Sequence, residues 1–301
     1  MFFTFALPAA ALAAVVGTPA AAQAPSPDLV LEAQILLDRN HHSPGVIDGR
    51  PGSNTRRAVR AFEIAEGLPA DGKLDPEVMK RLRASSGEPI LTDYTVTEED
   101  IAKLVDVPDG MEAQASLDHL GFETAAEALA EKFHMSQAFL MRLNPDRSFA
   151  VGETIKVVRP RQNELGSKVA RIEVDKGRSE VRAFDKNGKL LARYPGTIGS
   201  DRFPSPDGSM EVRAVAPAPT YYFDPSGRDW GPDKRLTIAA GPNNPVGGTW
   251  IDLTKEGYGI HGSPDPRLIG KTASHGCVRL TNWDAAELGQ AVEQGTMVTF
   301  I

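Results

Sequence analysis

The chain has 301 residues, more than one average domain holds, so two or three domains and a substantial core are expected. Its composition is that of a globular protein, and its formal net charge of −7 argues against a general nucleic-acid binder, which needs a basic surface to neutralise phosphates. The single cysteine can form no internal disulfide, so it is a buried small hydrophobe, an intermolecular link or a reactive thiol.

Residues 1–24 form an apolar run that ends in small residues and is followed by the Pro-rich APSPD, the pattern of a secretory signal peptide with cleavage near Ala22 or Ala24. A retained membrane anchor competes with that reading, but Pro8 and Gly17 break the run, which is short for a spanning helix of about 20 residues. The expected location is exported, periplasmic or cell-wall associated, with membrane contact only through the signal peptide before cleavage.

From Leu29 to Leu82 apolar residues recur at helical spacing: Leu29, Leu31, Ile35 and Leu36, then Ala58, Val59, Phe62 and Ile64. The turn-rich SPGVIDGRPGSNT separates the two runs, with Asn54 or Thr55 expected to cap the second helix. A third helix is expected from Asp75, with Pro76 at its first position. Over residues 28–84 this series resembles the three-helix peptidoglycan-binding domain found beside wall hydrolases, in Gly45, Ile47, Asp48, Gly49, Gly52, Thr55, Ala58, Val59, Phe62, Gly67, Leu68, Asp71, Gly72 and Asp75. Glu63 stands where that family usually has Gln.

Residues 92–160 show helical spacing in ETAAEALAEKFHM and SQAFLMRLNP and a short strand in VGETIKVV, with YTV at Tyr94 to Val96 as a first strand. This order resembles a degenerate LysM module. The stretch EEDIAKLVDVPDGMEAQASLDHL does not fit it, and a linker domain packed on its neighbour is the other reading. The polar RPRQNELGS then reads as a linker.

Strands dominate residues 168–301: Ile172, Val174, Val181 and Ala183 alternate, KNG at Lys186 to Gly188 signals a hairpin, and MEVRAVAP, LTIAAGP and GTWIDL continue the pattern. One late helix is expected, capped by Thr281 or Asn282, burying Leu288, Ala291 and Val292 and stopping at Gly295 before the strand TMVTFI. The fold class is therefore multidomain: a small all-α domain, a mixed α/β middle module and a mostly β C-terminal domain.

Chemistry concentrates in Tyr258 to Leu280, which holds the only cysteine, two of the six histidines and four glycines. A thiol attacks acyl carbon as thiolate and needs a base, and imidazole suits that task near neutral pH. His275 lies two residues before Cys277 on a turn with Gly276, where successive backbone N–H groups can receive a developing oxyanion. His261 arrives from a separate strand and can face the sulfur, its other ring nitrogen held by a backbone carbonyl, that of Gly262. Arg279 either braces the loop or binds a substrate carboxylate, Ser274 braces the turn, and Tyr258 lines the pocket or ends a strand.

The same residues carry a second resemblance. His261-Gly262 followed by Ser274-His275-Gly276-Cys277 and Val278-Arg279-Leu280 resembles the YkuD-type catalytic domain of L,D-transpeptidases, supported by TIG and PSPDG within Thr197 to Gly208, by the Trp250 strand and by the closing GTMVTFI. The resemblance implies that Cys277 is the nucleophile, His261 the base, and His275, Gly276 and Cys277 the oxyanion turn. It further implies a thioester formed from a peptidoglycan tetrapeptide donor, resolved by an amine acceptor on another stem or on a wall-linked lipoprotein, without a cofactor, and inhibition by carbapenem-type β-lactams. The rival readings are a thiol hydrolase or carboxypeptidase using the same site and a non-catalytic peptidoglycan-binding protein. No metal site is expected: His41 and His42 are adjacent and read as a solvated turn, and His119 and His134 fall on helical stretches without recognisable partners.

Overall fold

The computed structural model describes Met1 and residues 25–162, 164–200, 202–226 and 230–301. The expected signal peptide, apart from Met1, lies outside the described residues.

The N-terminal part is three helices. Helix α1 (Pro27–Arg39) is capped by Ser26, whose Oγ accepts the Leu29 amide at 3.3 Å. Helix α3 (Pro76–Ala84) is capped by Asp75, which accepts the Val78 amide at 2.9 Å. Between them α2 (Ser53–Ala65) starts two or three residues earlier than a cap at Asn54 or Thr55 implies, and it has no side-chain cap. Asn54 and Thr55 are spent on tertiary partners: Asn54 Nδ2 donates to the Ile269 carbonyl at 2.9 Å, and Thr55 Oγ1 accepts from Gln34 at 3.1 Å. Leu36, Leu37, Val59, Phe62, Met79 and Leu82 build the apolar centre. Ile64, expected on that face, is 54 % exposed, because it stands two residues beyond Phe62 and hence on the far side of the helix. Glu63 turns inward and accepts the Gly72 amide at 2.8 Å, holding the turn before α3.

The middle module pairs β1 (Leu91–Thr95) antiparallel with β2 (Thr154–Val158). Two one-turn helices, α4 (Glu98–Ile101) and α5 (Met111–Gln114), precede α6 (Ala125–Lys132) and α7 (Gln137–Leu143). His119 lies outside these helices and His134 just beyond α6. Leu129, Leu140, Ile155 and Val157 share one apolar cluster with Ile35 and Ile47 of the N-terminal part, so the two modules have a common core.

The C-terminal domain is an eight-stranded sheet. Its strands are β3 (Arg171–Asp175), β4 (Glu180–Phe184), β5 (Leu190–Pro195), β6 (Gly208–Pro217), β9 (Thr249–Leu253), β10 (Gly259–His261), β11 (Val278–Arg279) and β12 (Met297–Phe300), in the order β11-β10-β9-β6-β12-β3-β4-β5. Strand β12 runs parallel to β3 and β11 parallel to β10; the other neighbours are antiparallel. The β4–β5 turn falls at the KNG signal, with Gly188 at φ 82° and the Asp185 carboxylate accepting the amides of Asn187 and Lys189. LTIAAGP contributes only β8 (Leu236–Ile238), which pairs with β7 (Tyr221–Phe223) away from the main sheet. Helix α8 (Asn282–Ala291) is capped by Thr281 and ends before Gly295, which at φ 86° turns the chain into β12. Its Ala285 and Leu288 share one apolar cluster with Ile172, Val181, Ile251 and Ile260 of the sheet.

A buried charge cluster ties the three parts together and corrects several expectations. Arg161, expected in a polar linker, has a side chain only 1 % exposed. Its guanidinium bonds Asp38 of α1, and it reaches Asp284 at 2.6 Å and Glu287 at 2.7 Å, both on α8. His134 stands 3.1 Å from Asp38 and stacks on Trp283, while Tyr194 donates to Glu287 at 2.7 Å. His41 and His42 are not in a solvated turn either. His41 Nδ1 lies 2.9 Å from Glu287, and His42 is buried beside Phe62, its imidazole pushed down to about 3 by burial and by the Arg193 charge. Burial pushes Asp38 up, but Arg161 and His134 outweigh it and hold Asp38 well below its usual range; at Asp284 burial wins and the carboxyl is raised.

Candidate active site

Strand periodicity decides which side chains share the site. In the parallel β10–β11 register, Ile260 lies beside Val278 and His261 beside Arg279. Successive side chains alternate faces, so Ile260 and Val278, both fully buried, point into the core, while His261, Arg279 and Cys277 point to the other face. Trp250 of β9, paired with His261, joins them, and its indole stacks on the imidazole at 5.4 Å. Gly259 makes room for that indole: a Cβ there would stand 2.5 Å from the ring.

These residues floor a cleft of about 990 Å³. Its facing wall comes from the excursion between β6 and β9, with Tyr221, Trp230, Pro245 and Val246, and from Met111 of the middle module. Aromatic and apolar walls with few polar groups suit an extended peptide or acyl ligand.

His261 is 3 % exposed and its Nδ1 lies 2.7 Å from the Gly262 carbonyl oxygen. That contact requires a proton on Nδ1, which leaves the Nε2 lone pair as the acceptor. Burial, then the Arg279 charge, push the imidazole down to about 4, against the Gly262 carbonyl, which raises it. The ring is therefore neutral at physiological pH, with its Nε2 lone pair free of a proton. Because the folded value is depressed, the stability tied to this ring is complete above the unfolded value of about 6.5 and is lost as pH falls through about 4.

The turn that carries the thiol is braced from several sides. Ser274 Oγ donates to the Cys277 carbonyl at 2.5 Å and accepts the Gly276 amide at 3.2 Å. Gly276 adopts φ 114°, closed to most side chains, with the Tyr258 ring 3.0 Å from where a Cβ would sit. Ser205 Oγ donates to the Gly276 carbonyl at 2.6 Å and accepts the Gly199 amide at 3.0 Å. The His275 ring lies between Phe203 and Trp230, at 4.6 and 4.5 Å. Cys277 Sγ is 3.6 Å from the Gly257 carbonyl oxygen.

Of the residues singled out from sequence, Cys277, His261, His275 and Arg279 line the cleft. Ser274, Gly276 and Tyr258 stand behind the turn, and Gly262 holds the imidazole. The Gly276 amide, expected to face an oxyanion, is shared with Ser274. Nothing local in PSPDG marks Ser205 as a brace of this turn, and Asn282 has only the chemistry of a cap. The N-terminal helices also reach the site: Asn54 and Arg57 bond the Ile269 and Gly270 carbonyls, in the loop between His261 and Cys277, at 2.9 and 3.1 Å.

Comparison with known proteins adds to this geometry. A family model described as the L,D-transpeptidase catalytic domain matches residues 169–300, and one for a peptidoglycan binding domain matches residues 26–82. Two Bacillus subtilis (strain 168) proteins named as L,D-transpeptidases are similar in sequence. YkuD is 27 % identical over 172 residues, 57 % of this chain and 90 % of that protein. YqjB is 30 % identical over 131 residues, 42 % of this chain and 67 % of that protein. Among solved structures, L,D-transpeptidase 3 from Mycobacterium tuberculosis, in complex with a faropenem-derived adduct, is 16 % identical at a TM-score of 0.37, over 50 % of this chain and 74 % of that one.

Proposed function

Since the chain belongs to the L,D-transpeptidase family and carries a peptidoglycan binding domain ahead of the catalytic one, we propose that it transfers acyl groups between peptidoglycan stem peptides through a thioester on Cys277. The observation that carries the reading is the placement of the only thiol and a buried neutral imidazole on one face of the β10–β11 edge.

In the first step His261 Nε2 takes the Sγ proton as the sulfur attacks the carbonyl carbon of the third residue of a tetrapeptide stem. Negative charge on the carbonyl oxygen is received in the turn of His275, Gly276 and Cys277, by backbone N–H groups other than that of Gly276, which Ser274 Oγ accepts. The carbon–nitrogen bond then breaks, D-alanine leaves with the proton from His261, and a thioester remains. In the second step an acceptor amine gives its proton to His261 and attacks the thioester, Cys277 leaves as thiolate and is reprotonated, and a new amide is formed. The acceptor is a side-chain amine of another stem, giving a 3–3 cross-link, or a lysine of a wall-linked protein. Arg279, beside His261, is placed to meet a stem carboxylate with its planar fork. The enzyme works outside the cytoplasmic membrane, where these stems are.

Incubation with tetrapeptide-bearing muropeptides should give dimers and a transient acyl mass on Cys277 by mass spectrometry. Water resolving every thioester would make it a carboxypeptidase, and no adduct at all would leave a wall-binding protein. A carbapenem is expected to add its mass to Cys277. His261→Ala should slow that acylation by about 10²- to 10⁴-fold. In the wild type the acid limb of acylation should lie near pH 4 and not near 6.5, because His261 stays neutral down to there. A limb at 6.5 would mean that the His261 ring titrates as an ordinary imidazole, without the depression that burial imposes.

A further inference from the structure

Asn282 opens α8, but Thr281 is the cap, and the Asn282 carboxamide is spent on the active site. Its Oδ1 accepts the amides of Gly248 at 3.0 Å and Ser263 at 3.1 Å. Its Nδ2 donates to the Pro242 carbonyl at 3.1 Å and to Glu131 Oε1 at 2.6 Å. One side chain thus satisfies both acceptor positions and both donor hydrogens, and it joins three segments: the 242–248 stretch that walls the cleft, the turn after His261, and α6. The fit is close. A Cβ on Gly262 would stand 2.1 Å from Asn282 Oδ1, and one on Gly247 would stand 2.0 Å from it.

Glu131 is on α6, in the middle module, 151 residues from its partner in sequence. Burial pushes its carboxyl up to about 8, helped by nearby Glu127 and opposed by the Asn282 hydrogen bond, so near neutral pH it is an uncharged acceptor. The same helix makes a second contact with this wall: Glu127 Oε1 accepts from Asn243 Nδ2 at 3.0 Å. Leu120 pairs its backbone with Ala240 and Asn243, at 3.0 and 3.1 Å, on the flank of Pro245 and Val246.

Resting on the reading of Cys277 and His261 as the acyl-transfer pair, we infer that Glu131 is a positioning residue for the reaction: through Asn282 it fixes the Gly262–Ser263 turn whose carbonyl orients the His261 ring. The middle module is then part of the catalytic apparatus. The hydrogen bond it supplies sets where the Nε2 lone pair points, and a small misplacement of a base is costly to rate.

The experiment follows carbapenem acylation of Cys277 in the full-length protein by intact mass, alongside thermal melting. Glu131→Ala should lower the second-order rate constant about tenfold. Glu131→Gln should restore it to within about twofold of wild type at pH 7, since an amide oxygen accepts the Asn282 hydrogen as the neutral acid does. If Glu131→Ala does not fold, Glu131→Leu fills the volume without an acceptor and is expected to be as slow. Acylation of the Ala or Leu variant at the wild-type rate overturns the inference. So does a Gln variant that melts like wild type yet reacts as slowly as Ala. Failure of the underlying reading looks different: the wild type itself then gains no adduct, or gains one that Cys277→Ala retains.

Discussion

Cys277→Ala is expected to abolish the proposed acyl transfer, with a loss of at least about 10⁴-fold in turnover and no acyl mass on the protein. The magnitude follows from what removal of a covalent nucleophile costs when the neighbouring groups act with it as a unit. Nothing nearby can take its place. Ser274 is buried, its hydroxyl committed to the Cys277 carbonyl and the Gly276 amide. Cys277→Ser keeps the geometry but offers a hydroxyl, whose proton an imidazole depressed to about 4 is a poor base to remove, so only trace acylation is expected. The half-exposed site tolerates either change, and the melting temperature should stay close to wild type. Muropeptide dimers formed by Cys277→Ala at an undiminished rate would sink the thioester mechanism.

Arg161→Met is the second large effect, and it falls on stability. It leaves Asp38, Asp284 and Glu287 buried around an apolar side chain. Breaking a buried ion pair from one side costs about 3–5 kcal/mol, because the remaining charge is stranded. In a chain of this size that lowers the melting temperature by roughly 10 °C. The pH dependence separates this cause from lost packing. In the wild type the Asp38 and Glu287 carboxyls are depressed, so their stabilisation is present above the unfolded carboxylate range and lost as pH falls through their folded values. Without the guanidinium, burial is opposed by His134 at Asp38 and by His41 and Tyr194 at Glu287 but no longer by Arg161, so both carboxyls rise and the deficit of the variant should shrink as pH is lowered from 7 to 5. A drop of under about 2 °C at pH 7, by circular dichroism, would show that the cluster contributes little.

The parts of the molecule that were legible in sequence are those whose physics is local. Ser274 to Cys277 could be read because a turn, a thiol and an imidazole sit within four residues, and Asp75 with Pro76 because a cap and its proline are neighbours. The β4–β5 hairpin was legible in KNG and in the alternation of Val181 and Ala183. Polar residues whose partners are remote were not legible. Arg161 sits in a string of polar residues, and nothing near it announces Asp38 or Asp284, each 123 positions away. His41 and His42 look like a wet turn until Glu287 and Phe62 arrive from other elements. Asn54 and Asn282 have the chemistry of helix caps, and tertiary demand took both for other work. The stretch from Glu98 to Leu120 lacks periodicity because it is mostly turns, shaped by the cleft wall on which it docks.

The common core of the helical and middle modules, with Ile35 and Ile47 packed among Leu129, Leu140 and Ile155, has a consequence for cooperativity. Three separately folded beads would melt in three steps, each reporting its own unit. Here neither of the first two modules can open without exposing the interior of the other, and Arg161 makes their unfolding strand charge in the third. Calorimetry of the intact chain should show one transition, with a van't Hoff enthalpy close to the calorimetric one. Heat would then open the helical domain and the catalytic domain together, leaving no population in which one is folded without the other.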